Sequence, residues 1–410
     1  MLRPLILLAL LGTPAAAETP PRTVLSWGGD FSAAQDRTMA REYTAQTGIP
    51  VRFVDSDDPQ AVVKTQVEAG NVVIDVASVG QGAALRLCDE GDVVPIDAAQ
   101  LAPAPDGAPA AGDFRPGTLS ECFVPTDIYA TVIAYNADRL DGAPGTAADF
   151  FDLERFPGRR GLSRTPQFTL ELALLADGVP AAEVYATLAT PEGVDRAFAK
   201  LDTIRDQIVW WEAGSQPIQL LADGEVAMAH AYNGRVFKAA QVDRLPLAIL
   251  WDGQISEVEG WVIPKGAPHP KEALDFVAAS TSPAILARFS EELPYGPPRL
   301  SAQGLVGNFA GDPAVAMAPH LPTAPENMGN ALTVDPAFWA EHETELRQRF
   351  ATWLAGAETA PGPDTTADAA KPRGVHPVAS AAQTPESAPV PAGAPTEASA
   401  DGGAAAAAQD

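Results

Sequence analysis

Short apolar runs separated by polar, helix-periodic stretches open the chain. Residues 23–27 and 51–54 read as strands, residues 32–47 and 60–69 as helices, and residues 72–76 as a third strand. Gly48 and Gly70 stand where the two helices should stop, and Pro50 follows the first. Strand, helix, strand, helix, strand predicts a parallel α/β sheet, in which ligands gather beyond the carboxyl ends of the strands. The loops at Trp27-Gly28-Gly29 and Ser78-Val79-Gly80-Gln81-Gly82 fall at those ends. They either offer backbone N–H groups to a ligand or are tight turns, and neither matches a dinucleotide or P-loop fingerprint.

The middle of the chain repeats the pattern. A strand is expected over 129–135, a turn over 141–145, and helices over 170–175 and 191–205. Ser215 should cap a helix carrying Ile218, Leu220 and Leu221 that stops at Asp223-Gly224. A buried strand over 226–231 then ends in Tyr232-Asn233-Gly234-Arg235, and another over 245–250 leads through Trp251-Asp252-Gly253 to residues 254–266. If this last stretch is extended, side-chain alternation puts Glu257, Glu259 and Trp261 on one face. Buried carboxylates need a cation or strong donors, and an indole face beside them suits an ammonium group, so the stretch reads as a cage for an organic cation. The same spacing also fits an edge strand with two solvated glutamates and a core tryptophan. Helices over 270–279 and 283–291 follow, then the rigid aromatic loop Leu293-Pro294-Tyr295-Gly296-Pro297.

Composition changes this picture at both ends. Residues 1–17 carry one charge at Arg3, an apolar run over 5–11 and Ala15-Ala16-Ala17, the pattern of a cleavable secretory signal. A periplasmic location is therefore expected. From residue 356 to 410 the chain turns to Ala, Pro, Thr, Ser and Gly with scattered acids, too little apolar area to order itself. The residues between are too many for one ordinary core and predict two lobes. A formal net charge of -26 repels phosphate backbones and argues against nucleic-acid binding. The two cysteines, Cys88 and Cys122, are expected to pair in an oxidising compartment; two separate buried thiols are the other reading.

Catalytic signatures are sparse. The five histidines are scattered, and His342 between Glu341 and Glu343 lacks the spacing of a helical zinc motif. No Gly-x-Ser-x-Gly elbow occurs. Glu257 and Glu259 share one face rather than flanking a cleft, which leaves a carboxylate-dependent hydrolase as a remote reading. No catalytic residue, metal ligand or cofactor is assigned.

Several segments together carry a family resemblance. Ser26-Trp27-Gly28-Gly29, Gln66-Val67-Glu68-Ala69-Gly70-Asn71, Leu87-Cys88-Asp89-Glu90-Gly91, Thr131-Val132-Ile133-Ala134-Tyr135-Asn136, Leu221-Ala222-Asp223-Gly224-Glu225-Val226-Ala227-Met228, Tyr232-Asn233-Gly234-Arg235, Gly260-Trp261-Val262-Ile263-Pro264-Lys265-Gly266 and the loop at Tyr295 occur in the order seen in spermidine/putrescine-type periplasmic binding proteins of ABC transporters. The chain resembles that family over residues 22–354. The resemblance implies an α/β, two-lobed periplasmic-binding-protein fold (type II-like) with the ligand in the interlobe cleft. Residues 18–130 and 254–305 would form lobe 1, and residues 131–253 and 306–355 lobe 2. It places Trp27, Ser78, Tyr232, Asn233, Glu259 and Tyr295 at the ligand, with Glu257 standing where the family has tryptophan. The family's acidic pair before the helix near Leu170 is replaced by Arg164-Thr165-Pro166-Gln167-Phe168. The implied function is a monomeric receptor that hands a polyamine or related small organic cation to a membrane permease. The alternative is an anionic or zwitterionic solute, an amino acid or a γ-aminobutyrate-like molecule, held by Arg164 or Arg235.

Overall fold

The computed structural model describes residues 20–358, and its organising element is a pair of long antiparallel strands. The strands in order are β1 (Arg22–Ser26), β2 (Val51–Asp55), β3 (Val76–Gly80), β4 (Val124–Asn136), β5 (Arg160–Ser163), β6 (Ile208–Trp211), β7 (Met228–Tyr232) and β8 (Leu247–Val262). A hairpin of β9 (Asn308–Phe309) and β10 (Asp312–Ala316) stands apart, and β11 (Leu332–Thr333) completes the set. One sheet runs β2-β1-β3-β8-β4-β7-β5-β6, with β11 added to β8. Strands β1, β2 and β3 are parallel to one another, as are β5, β6 and β7. Strands β4 and β8 run antiparallel between the two groups, from Val124↔Trp261 to Asn136↔Leu247.

That pairing explains the two lobes. Buried apolar side chains fall into four clusters, one on each face of each half of the sheet. Two clusters draw on residues 24–128 and 258–302, and two on residues 130–255 and 332–354. β4 and β8 pass from one pair of clusters to the other. Both are buried along most of their length, as expected of strands covered on both faces. At the changeover the register slips, because Thr131 pairs with Ile255 whereas Ile133 pairs with Leu250. β8 thus has residues 251–254 opposite a single residue, a bulge that bends the strand. Gly253 makes it possible: its φ is 74°, and a Cβ there would lie 2.7 Å from that of Ala147.

Most helices form where periodicity and caps place them. Pro191–Asp202 buries Val194, Ala197, Phe198 and Leu201 at helical spacing, starts with Pro191, and is capped by the Thr190 hydroxyl accepting from Gly193 N–H. Three expectations need correction. Pairing of β3 starts only at Val76, because Asp75 turns its carboxylate to accept from the Thr23 and His269 amides while Val73 faces solvent. Ser78–Gly80 therefore finish a strand rather than form a loop, and Gln81 and Gly82 begin the helix Gln81–Glu90. The separate strand and turn expected over 245–253 are one continuous β8. The long helix Pro336–Glu358 was not foreseen, although Asp335 caps it through the amides of Ala337 and Phe338, and Phe338, Trp339, Leu346 and Phe350 form its buried stripe. The expected leader lies outside the described residues, as does the expected tail beyond residue 358.

Two contacts fasten the helices that flank the sheet. Cys88 on Gln81–Glu90 is bonded to Cys122, just before β4. In the other lobe, Glu171 on the fully buried helix Thr169–Ala176 accepts from the Trp339 indole N–H at 2.8 Å and the Tyr185 hydroxyl at 3.4 Å. Burial pushes the Glu171 carboxyl up to about 8. Among the described residues no helix is long and apolar enough to cross a membrane.

Replacing both Cys88 and Cys122 by Ala is expected to lower the unfolding free energy by about 2–4 kcal/mol, the range for closing a loop of this size, read from denaturant midpoints with and without the bond. Between its unfolded value near ~4.3 and about 8, Glu171 holds its proton in the folded state and releases it on unfolding. Wild-type stability therefore falls as pH rises through that window. Glu171→Gln removes this loss, so the variant should gain about 1–3 kcal/mol on wild type between pH 5 and pH 8, measured by guanidinium unfolding at both pH values.

Candidate functional site

The carboxyl ends of the parallel strands carry the candidate groups. Trp27 follows β1, Gly80 ends β3, Arg164 follows β5, Trp211 ends β6 and Tyr232 ends β7. Between them the middle of β4 and β8 presents two cross-strand pairs, Asp127 opposite Glu259 and Tyr129 opposite Glu257. A cavity of about 880 Å³ is lined by Trp27, Phe31, Tyr129, Tyr232, Arg235, Glu259 and Tyr295, and also by Asp30, Arg37, Lys238 and Glu292. A smaller one of about 170 Å³ adjoins it through Tyr129 and Glu259 and is lined by Gln81, Arg86, Gln167, Glu257, Trp339 and Glu343.

Local geometry aims these groups. The Trp27 indole N–H donates to Glu259 at 3.1 Å, joining the β1 loop to β8. Tyr129 lies 6.0 Å from Tyr232 and 6.1 Å from Tyr295, centroid to centroid, so three phenol rings form one aromatic wall. Tyr295 can approach the backbone just beyond Tyr232 because Gly234 stands there, and a Cβ at that position would fall 2.9 Å from the ring. The Tyr129 hydroxyl donates to Glu257, and the Gln167 amide donates to its other oxygen at 3.0 Å. Phe168, which follows Gln167, sits at φ 68°, a left-handed conformation costly for a bulky residue.

Electrostatically the floor of the cavity is acid held out of water. Glu259 is 9% exposed, and its carboxyl stands well above the usual range, first from burial and then from the nearby Asp127. Asp127 is pushed up to about 7 by burial. Burial also raises Glu257 against the effect of its two donors. The cavity's cations differ in how they are engaged. Lys238 pairs with Asp30 at 2.6 Å, and Arg37 pairs with Glu292 at 2.7 Å. The Arg235 guanidinium is exposed to the cavity and makes no hydrogen bond or ion pair among the described residues, although its charge joins the Lys238 hydrogen bond in holding the Asp30 carboxyl low. Arg164 lines neither cavity; its backbone N–H extends the β5–β6 pairing by donating to Trp211. No cluster of His, Cys, Asp and Glu suited to a metal ion occurs among the described residues.

Trp27, Tyr232, Glu259 and Tyr295 meet in the larger cavity, and Glu257 reaches the smaller one. Two other candidates are placed differently. Ser78 lies inside β3 opposite Trp261, fully buried, and lines neither cavity. Asn233 is fully buried with its amide spent on backbone: it accepts from Ala130 N–H at 3.0 Å and donates to Pro294 C=O at 2.6 Å. It splints β4 to the aromatic loop. The cage tryptophan also changes identity. Trp261 turns into the lobe core against Phe276 and donates to Ser280, and Trp27 is the indole at the carboxylate. Asp127, Tyr129 and Gln167 had not been singled out; the alternation of Asp127 and Tyr129 was a signal only once their register with Glu259 and Glu257 was known.

Comparison with known proteins agrees with this arrangement. Residues 38–323 match the family described as bacterial extracellular solute-binding protein. The gamma-aminobutyric acid-binding protein of Pseudomonas aeruginosa is 43% identical over 341 residues, covering 83% of this chain and 93% of that protein. The structure of the Atu4243-GABA receptor matches with a TM-score of 0.68 at 30% identity, covering 82% of this chain and 97% of that one. A spermidine/putrescine ABC transporter substrate-binding protein from Streptococcus pneumoniae matches with a TM-score of 0.61 over 82% of this chain and 99% of that one, but at 18% identity, which speaks to the fold alone. The two-lobed α/β fold and the family match stand together: the chain belongs to the bacterial extracellular solute-binding proteins.

Proposed function

We propose that this protein is the periplasmic receptor of an ABC importer for a small zwitterionic ω-amino acid of the γ-aminobutyrate class. The observation that carries the reading is the pairing of opposite needs in one cavity: Glu259, buried and already oriented by Trp27, and Arg235, a cation without a carboxylate partner among the described residues. An ammonium group would donate to Glu259 while Trp27 and Tyr295 lie along the methylene chain. The ligand carboxylate would meet Arg235, whose planar fork suits it. The similarity to a γ-aminobutyric acid-binding protein favours this ligand class over a polyamine.

The two walls come from different halves of the molecule, Trp27 and Tyr295 from one and Tyr232 and Arg235 from the other. We assign residues 18–130 and 254–305 to lobe 1 and residues 131–253 and 306–355 to lobe 2, a division supported by the apolar clusters. A ligand touching both walls favours the closed arrangement by its differential affinity, and the closed form is what a membrane permease would recognise. A polyamine is the second reading, favoured by the additional acid Glu257. Against it, both oxygens of Glu257 already accept from Tyr129 and Gln167.

Calorimetry with γ-aminobutyrate, putrescine and spermidine separates these. γ-Aminobutyrate should bind most tightly, and Glu259→Gln should weaken it by about 1.5–3 kcal/mol, the scale of a charge-assisted hydrogen bond. Arg235→Ala should weaken γ-aminobutyrate by about 2–4 kcal/mol and leave a diamine almost unaffected. Tighter binding of putrescine, together with an unaffected Arg235→Ala variant, would reverse the assignment.

A further inference from the structure

Beneath Glu259 lies a second acid that the cavity does not expose. Asp127 is 1% exposed and pairs with Glu259 in the β4–β8 register, just past a shift at Thr126, close enough that, after burial, its charge pushes up the Glu259 carboxyl. One of its oxygens accepts from the Thr126 hydroxyl at 2.9 Å, and the other, Oδ1, is buried with no hydrogen-bond partner among the described residues. Thr126 and Asp127 are neighbours on β4, and the Thr126 hydroxyl also lies 3.3 Å from the Glu259 backbone carbonyl. No Lys, Arg or His forms an ion pair with either acid among the described residues. The other groups facing the pair are Glu257 on β8, Tyr129 on β4, Trp27 after β1 and Tyr295 on the aromatic loop. The one cation that shares the cavity with Glu259 and acts on Tyr295, Arg235, forms no ion pair with either acid among the described residues.

Two carboxylates this close in a dry site cannot both ionise without a cation. We propose that Asp127 and Glu259 act as one unit carrying a single proton and a single negative charge, which makes Asp127 a specificity-determining residue for ammonium-bearing ligands. In the ligand-free protein the charge resides on either acid. When an ammonium donates to Glu259, the charge settles on Glu259 and the proton on Asp127, whose Oδ1 is free to carry it. No proton needs to enter or leave at neutral pH. The upward shifts of both acids, each caused first by burial, agree with a pair that holds one proton between them. This inference rests on the ω-amino acid reading for its ligand but not for its proton.

A cycle of isosteric amides tests it, since a carboxamide in place of either acid keeps an oxygen for the Thr126 hydroxyl or the Trp27 N–H to donate to. Glu259→Gln should weaken γ-aminobutyrate by about 10- to 150-fold and Asp127→Asn by less than about tenfold, because in each the partner acid retains the charge. The double variant should weaken it by far more than the product of the two, and the preference for γ-aminobutyrate over butyrate, which lacks the ammonium, should collapse. In parallel, carboxyl carbon NMR of the ligand-free protein should show Asp127 titrating between pH 5 and 9, and Glu259 titrating at lower pH in Asp127→Asn than in wild type. Additive losses with an unchanged γ-aminobutyrate-to-butyrate preference would overturn the proposal, as would an Asp127 resonance fixed in its ionised form throughout. If γ-aminobutyrate does not bind wild type at all, the ligand assignment fails, and the NMR titration still decides whether the two acids share a proton.

Discussion

The antiparallel pairing of β4 with β8 is the constraint on which the rest of the molecule depends. Two strands of this length cross from one set of apolar clusters to the other, so both lobes are built on one continuous ladder of backbone hydrogen bonds. Each long strand changes its outer neighbour at the crossing. β8 is flanked by β3 and then by β11, while β4 meets the backbone of Gly296 and then β7. The parallel strands end at this crossing, and it is their carboxyl ends that supply Trp27, Tyr232 and the start of the helix at Gln81. The position of the cavity follows from the topology before any ligand is considered.

Placing acids on those two strands is costly for the fold and useful to the site. Glu257, Glu259 and Asp127 all sit where water is largely excluded, and each is shifted upward chiefly by that exclusion. Stability is not gained from such groups; in the function proposed above, their value would lie in the ammonium group they meet. Glu171 shows the contrast. It is as deeply buried, but it is closed in by Trp339 and Tyr185 and serves to dock the last helix.

Much of the fold was legible in the sequence because local rules and global packing agree there. Helices such as Pro191–Asp202 and Pro283–Glu292 lie within a few residues of expectation, since proline at the start and apolar spacing are local signals. Gly253 and Asp252 misled for the opposite reason: residues that read as a turn form a bulge when a partner strand is available, and the carboxylate of Asp252 is engaged by the Ala147 amide. Within the site, Glu259 and Tyr295 were readable from pattern and resemblance. Asp127 and Tyr129 were not, because their importance comes from cross-strand register, which no local window contains. Asn233 illustrates a different limit, since an amide at a strand end looks the same whether it faces a ligand or, as here, two backbone groups.

The covalent bond between Cys88 and Cys122 has a mechanical meaning beyond its effect on the unfolded chain. Both sulfurs belong to the same apolar cluster, on the same side of the β4–β8 crossing. The crosslink therefore stiffens one half without bridging to the other, and it would leave the proposed closure of the two halves unhindered.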